Sequence, residues 1–217
     1  MLYFLATVAV ALLGAFILGK NPHSRLHQFF FLASMAWAFW AFSEFMQHTL
    51  AGTAGTDFWI AAETIWIVDA VVSLHFILLF VKSRYLHASS APRTLAPLYI
   101  PAVVFLCAVC YTELFIAAIA LAPPGLDTSA AGSLIVVMAY LWSFACAALG
   151  WLLCIRYMLQ LPAGPERRQA RLVAIGITVP LIAGFSYLVS DTVPWFMIFD
   201  LPPVTALWFS LFIGYAI

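Results

Sequence analysis

The chain has 217 residues, of which 65% are hydrophobic and 8% charged, and its formal net charge is zero. A mean hydropathy of +1.06 excludes a soluble globular domain, because so few polar residues cannot cover an apolar mass of this size with a water-facing surface. With no net positive charge and no basic stripe, a nucleic-acid partner is excluded as well.

Apolar runs long enough to cross a bilayer fall at about 1–19, 28–50, 57–81, 95–112, 132–159, 171–190 and 202–217. The first, "MLYFLATVAVALLGAFILG", lacks the basic leading residues and small-x-small cleavage site of a signal peptide, so it reads as a retained helix. The second follows the basic turn "KNPHSRLH" and carries Trp37 and Trp40, with Glu44, Gln47 and His48 towards its far end. The short link "AGTAGT" leads into the third, "FWIAAETIWIVDAVVSLHFILLFVKSR", which contains Glu63, Trp66, Asp69 and His75. Pro180 falls inside the sixth run, where it removes a backbone hydrogen bond and should kink the helix. Gly176 and Gly184 flank it and suit close helix packing. Pro202 and Pro203 open the seventh run, where the missing donors cost little, and Asp200 is placed to cap it. That run reaches Ile217 before any polar stop, so the native chain is expected to continue.

The basic residues orient the bundle. Lys20, Arg25, Lys82, Arg84, Arg93, Arg156, Arg167, Arg168 and Arg171 all lie in or beside the connections after the first, third and fifth runs. By the positive-inside rule these connections are cytoplasmic, which puts the amino terminus outside and the carboxyl end in the cytoplasm. Asp57, Asp127, Asp191, Asp200 and Glu113 fall on the external side as a consequence. The fold class expected is thus an all-α integral membrane protein, one seven-transmembrane-helix bundle over 1–217.

Ionisable side chains inside such helices are costly, and their default reading is functional. Counting inward from Asp57, Glu63 lies roughly 9 Å down and Asp69 roughly 18 Å, near the midplane. His75 falls near the inner boundary, where snorkelling or a bond to a carbonyl is the ordinary role. Glu44 and His48 at i, i+4 make too small a ligand set for a metal, and no metal or other cofactor is expected. No Lys or Arg lies at the depth of Glu44, Glu63 or Asp69, so Asp69 is expected to rest neutral until a cation, water or polar ligand reaches it. Trp66 is three residues from both Glu63 and Asp69, and an aromatic pocket with a buried acid suits a cationic or amphipathic ligand. The ordinary reading of 8 Trp and 19 Phe is packing and interfacial belts. The candidate ligand-binding residues are Trp37, Glu44, Glu63, Trp66 and Asp69; Pro180, Pro202 and Pro203 are candidates for signal relay. Cys107, Cys110, Cys146 and Cys154 all lie in apolar runs, and packing is the expected role even for the CxxC pair.

Several stretches, "KNPHSRLHQFF", "MAWAFWAFSEF", the third run, "RRQARLVAIGITVPLIAGFSYL" and "DLPPVTALWFSLFIGYAI", resemble the seven-helix amino-terminal sensor region of bacterial membrane histidine kinases, also found ahead of diguanylate cyclases. The resemblance spans nearly the whole chain. It implies a sensor in the inner membrane that passes a signal through the seventh helix to a cytoplasmic output domain in cis, as a homodimer. It assigns no role to Asp69 or His75. No phosphoacceptor segment or nucleotide-binding module is present in this sequence, so the chain is not expected to be an enzyme. The expected partners are a small, lipidic or cationic ligand from the outer side, and membrane lipids.

A second function class is a small proton- or cation-coupled transporter using Asp69, against which stands the lack of an internal repeat. An intramembrane zinc hydrolase is disfavoured because the fourth to seventh runs hold no histidine, and Ser73 and His75, at i, i+2, point apart on a helix. A retinal protein is disfavoured because the seventh run holds no lysine.

Overall fold

In lipid, backbone amides and carbonyls have no water to bond, so apolar runs of this length satisfy themselves as helices. The computed structural model describes the backbone of residues 1–53, 55–81, 91–119, 129–190 and 202–217; within these, side chains are described except at 91–94, 112–119, 129–133, 187–190 and 202–203. Lys82, Arg84, Asp127, Asp191 and Asp200 lie outside the described residues, as do the side chains of Arg93, Glu113, Pro202 and Pro203. Among the described residues the elements are α1 (Leu2–Lys20), α2 (Arg25–Thr49), α3 (Gly55–Glu63), α4 (Trp66–Phe80), α5 (Ala91–Ile119), α6 (Ser129–Gln160), α7 (Pro165–Ser190) and α8 (Pro202–Ala216).

Among the described residues, five stretches are long and apolar enough to cross a membrane: α1, α2, Gly55–Phe80 taken as one, Leu134–Gln160 and Pro165–Ser186. Leu95–Tyr111 and Val204–Ala216 are shorter apolar helices. The elements differ from the hydropathy runs at their ends. α7 begins at Pro165, so Glu166, Arg167 and Arg168 form its first turn rather than a loop. Proline is favoured there because its missing N–H is not needed, and Glu166 complements the helix dipole. α5 starts at Ala91 and runs through Pro97 and Pro101.

Helix neighbours form a closed circuit: α1 packs on α2, α2 on α4, α4 on α6, α6 on α7, α7 on α8, and α8 back on α1. α2 also touches α8 across the middle, while α5 packs from outside on α3, α4 and α6. Two apolar clusters hold this arrangement. One joins Val10, Phe30, Trp37, Phe76, Val173, Phe209 and Ile213; the other joins Ile67, Val71, Ala102, Val109 and Ala139 between α4, α5 and α6. Large apolar side chains such as Leu12, Phe16, Val104, Leu152 and Leu211 face outward, as a lipid-facing surface requires.

Small residues set the closest helix contacts, since without a water-driven hydrophobic force association rests on packing. An added Cβ at Gly14 of α1 would meet Ser34 Cβ of α2 at 2.7 Å, and one at Gly176 of α7 would meet Ile213 Cγ1 of α8 at 2.9 Å. At Gly184 an added Cβ would meet nothing within 4 Å. Gly176 thus serves close approach and Gly184 leaves space. In the turn between α2 and α3, Gly52 takes a φ of 81°, the left-handed region that costs glycine nothing.

Candidate functional site

The third apolar run is not one continuous helix. At Thr64 and Ile65 the backbone bonds switch to i→i−3, with Thr64 N donating to Ala61 O at 3.2 Å and Ile65 N to Ala62 O at 3.3 Å. The Thr64 hydroxyl also donates to Ala61 O, at 2.7 Å. A β-branched hydroxyl residue that bonds its own nearby carbonyl competes with the regular ladder and tightens the turn. The same hydroxyl lies 3.0 Å from Cys110 Sγ of α5, which fastens the break to its neighbour.

This break ends α3 on Glu63 and starts α4 just ahead of Asp69. Glu63 Oε2 accepts a hydrogen bond from Gln47 Nε2 at 2.7 Å, and Oε1 accepts one from Trp40 Nε1 at 3.2 Å. Both donors come from α2, so the carboxyl ties the end of α3 to it. Asp69 is 6% exposed. The Ser73 hydroxyl, one turn on, donates to its Oδ1 at 3.3 Å.

Glu63, Asp69 and Ser73 line a cavity of about 150 Å³ bounded by α2, α3, α4, α6, α7 and α8. Six aromatic residues contribute to its walls, Trp37 and Trp40 from α2, Trp66 from α4, Tyr140 and Phe144 from α6, and Phe209 from α8, among aliphatic and small residues. Trp66 and Tyr140 stack with ring centroids 4.3 Å apart, and Trp37 lies 5.2 Å from Trp40 and 5.5 Å from Phe209. Two further lining groups, the Trp37 indole N–H and the Ser143 hydroxyl, are buried with no hydrogen-bond partner among the described residues. Pro180 and Gly184 complete the α7 wall.

The structure therefore places Trp37, Glu63, Trp66, Asp69 and Pro180 around one space. Glu44 is not in it: its Oε2 lies 4.0 Å from His48 Nε2, and His48 in turn packs against Tyr3 of α1. His75 is elsewhere too, with Nδ1 2.7 Å from the Tyr99 hydroxyl of α5 and its ring 3.8 Å from that of Phe29. A tyrosine hydroxyl thus takes the place of the expected carbonyl. Trp40, Tyr140, Ser143, Thr205 and Phe209 were not legible as site residues; only Trp40 carried a signal, its proximity in sequence to Trp37. Among the described residues no three His, Cys, Asp or Glu side chains gather as metal ligands.

The family model for the N-terminal 7TM region of histidine kinase matches residues 2–217. The chain belongs to this family. No curated protein and no solved structure matches it. As a histidine-kinase sensor region it is a membrane-spanning sensory module, distinct from the kinase's catalytic part. In this sensor region the acidic helix α4 and the final helix α8 meet the same cavity, through Asp69 on one side and Thr205 and Phe209 on the other.

Proposed function

We propose that the chain spans the inner membrane seven times, amino terminus outside, and senses a small ligand that arrives from the outer side. The ligand occupies the aromatic cavity beside Asp69 and shifts the packing of α8, which carries the change to a cytoplasmic output domain of a homodimeric receptor. One observation carries this reading: Asp69 and Phe209 line the same space, so an occupant touches the acidic helix and the last helix together. A ligand changes a receptor only by favouring one packing over another, and contact with both helices supplies that difference.

Two features of α7 and α8 support a mechanical coupling. Trp208 Nε1 donates to Ile175 O at 3.0 Å, close to the tight contact of Gly176 with Ile213. Pro180 lies in the same part of α7 and leaves one carbonyl of the preceding turn without its amide partner. Pro180 would be the pivot, and Pro202 and Pro203 the start of the moving helix.

The test is a reporter in which a histidine-kinase output module follows Ile217. Filling the cavity through Gly184→Leu should shift autophosphorylation, and Phe209→Ala should alter that response. A reporter indifferent to both substitutions would overturn the reading. The break at Thr64–Ile65 beside two carboxyls favours a transporter as a second reading, since discontinuous helices frame ion sites in such proteins. Ion flux in proteoliposomes that disappears in Asp69→Asn would establish it.

A further inference from the structure

The cavity contains a carboxyl group whose ionised form the described walls do not balance. Asp69 is 6% exposed, and its described side-chain partner is one hydroxyl at 3.3 Å. No Lys, Arg or His is among the described residues that line the space. Removing a carboxylate from water without a cation beside it costs several kcal/mol. Glu63 is in a different position, because each of its oxygens already accepts a side-chain bond from α2.

The surrounding rings point to what would balance Asp69. Trp37, Trp40, Trp66, Tyr140 and Phe209 bring five rings to the lining that Asp69 shares. Aromatic faces carry partial negative charge and attract a desolvated cation, tryptophan most strongly. A volume of about 150 Å³ also limits the guest. An apolar cavity of that size accommodates a single benzene ring, so the space suits a guest built around one ring.

We infer that the cavity binds a small arylalkyl ammonium ion, its ring held among the tryptophans and its ammonium on the Asp69 carboxylate. This rests on the reading of the cavity as the receptor's ligand site, and names the chemistry that site selects. Glu63, at the α3 end, places a second carboxyl group on the same lining without giving up its bonds to Gln47 and Trp40.

Equilibrium binding of 2-phenylethylamine and of its uncharged isostere 2-phenylethanol to the full chain in zwitterionic nanodiscs, each corrected against protein-free discs, tests this. The amine should bind at least about tenfold more tightly than the alcohol, the size of one charge-assisted hydrogen bond. Asp69→Asn should erase that preference while the alcohol still binds. Gly184→Leu, placed where an added Cβ meets nothing within 4 Å, should abolish binding of both. Equal affinity for the two probes, or a preference that survives Asp69→Asn, overturns the ammonium assignment and leaves a neutral-ligand receptor standing. Binding of neither probe overturns it as well, and the kinase reporter with Gly184→Leu then judges the receptor reading separately.

Discussion

Trp66 of α4 lies face to face with Tyr140 of α6, ring centroids 4.3 Å apart and planes within 8° of parallel. The stack closes the cavity wall beside Asp69 and joins two helices far apart in sequence. A double-mutant cycle with Trp66→Leu and Tyr140→Leu should give a coupling of about 1 kcal/mol, as aromatic pairs do beyond their buried area. Unfolding in mixed micelles measures it, and additive losses would mean that the rings only share space.

Glu63 joins the end of α3 to α2 through Gln47 and Trp40. Glu63→Gln keeps one of the two acceptors and sets an amide N–H against the other donor, so it should cost about 1 kcal/mol. Glu63→Leu strands both donors, and should cost about 1–3 kcal/mol, the penalty of leaving part-buried polar groups unpaired. Comparison of the two variants by thermal unfolding in detergent grades the loss of one acceptor against the loss of both; equal melting temperatures would contradict the two described bonds.

The two glycines around Pro180 should behave oppositely. Gly176→Ala brings a methyl group to 2.9 Å from Ile213 Cγ1 and 3.2 Å from Phe212 Cβ, so α7 and α8 must separate. Overpacking of this kind costs about 1–3 kcal/mol. Gly184→Ala meets no atom within 4 Å and should be neutral or slightly stabilising. Melting temperatures of the pair check this; equal destabilisation would contradict the described contact between α7 and α8.

His75 Nδ1 and the Tyr99 hydroxyl, 2.7 Å apart, connect α4 to α5 away from the cavity. Tyr99→Phe should therefore destabilise the protein by about 1 kcal/mol while leaving cavity binding unchanged. A ligand affinity that falls with Tyr99→Phe would show that the α4–α5 contact reaches the site.

For orientation, a cysteine introduced at Gly164, in the short turn between α6 and α7, should react with an impermeant thiol reagent only from the cytoplasmic face. One introduced at Thr53, between α2 and α3, should react only from outside. The basis is the clustering of Arg156, Arg167, Arg168 and Arg171 around the first of these turns. The reverse labelling pattern would invert the receptor.

Much of the helix map could be read from composition along the chain, because the free energy of moving a run into lipid depends mainly on which residues it contains. The break at Thr64–Ile65 was not readable, since "AETIW" has neither Gly nor Pro to announce it. It depends on a threonine hydroxyl that bonds backward and finds Cys110 on another helix. The early start of α7 was hidden for the opposite reason: its first turn is polar, and hydropathy records only the apolar part of a helix.

The candidate site divides along the same line. Asp69, Glu63, Trp66 and Trp37 stood out because an acid in an apolar run is expensive and aromatic residues crowd around it in sequence. Glu44 stood out equally and lies on another face, towards His48 and α1. Linear order assigns a residue to a helix and a depth, since both scale with position along the rod. The facing of that residue depends on how each rod is rotated and which rods are neighbours, and that follows from close packing between distant segments such as Gly176 on Ile213 and Trp66 on Tyr140. Tyr140, Ser143, Thr205 and Phe209 belong to the site for that reason alone, as ordinary helix residues that packing turns towards Asp69.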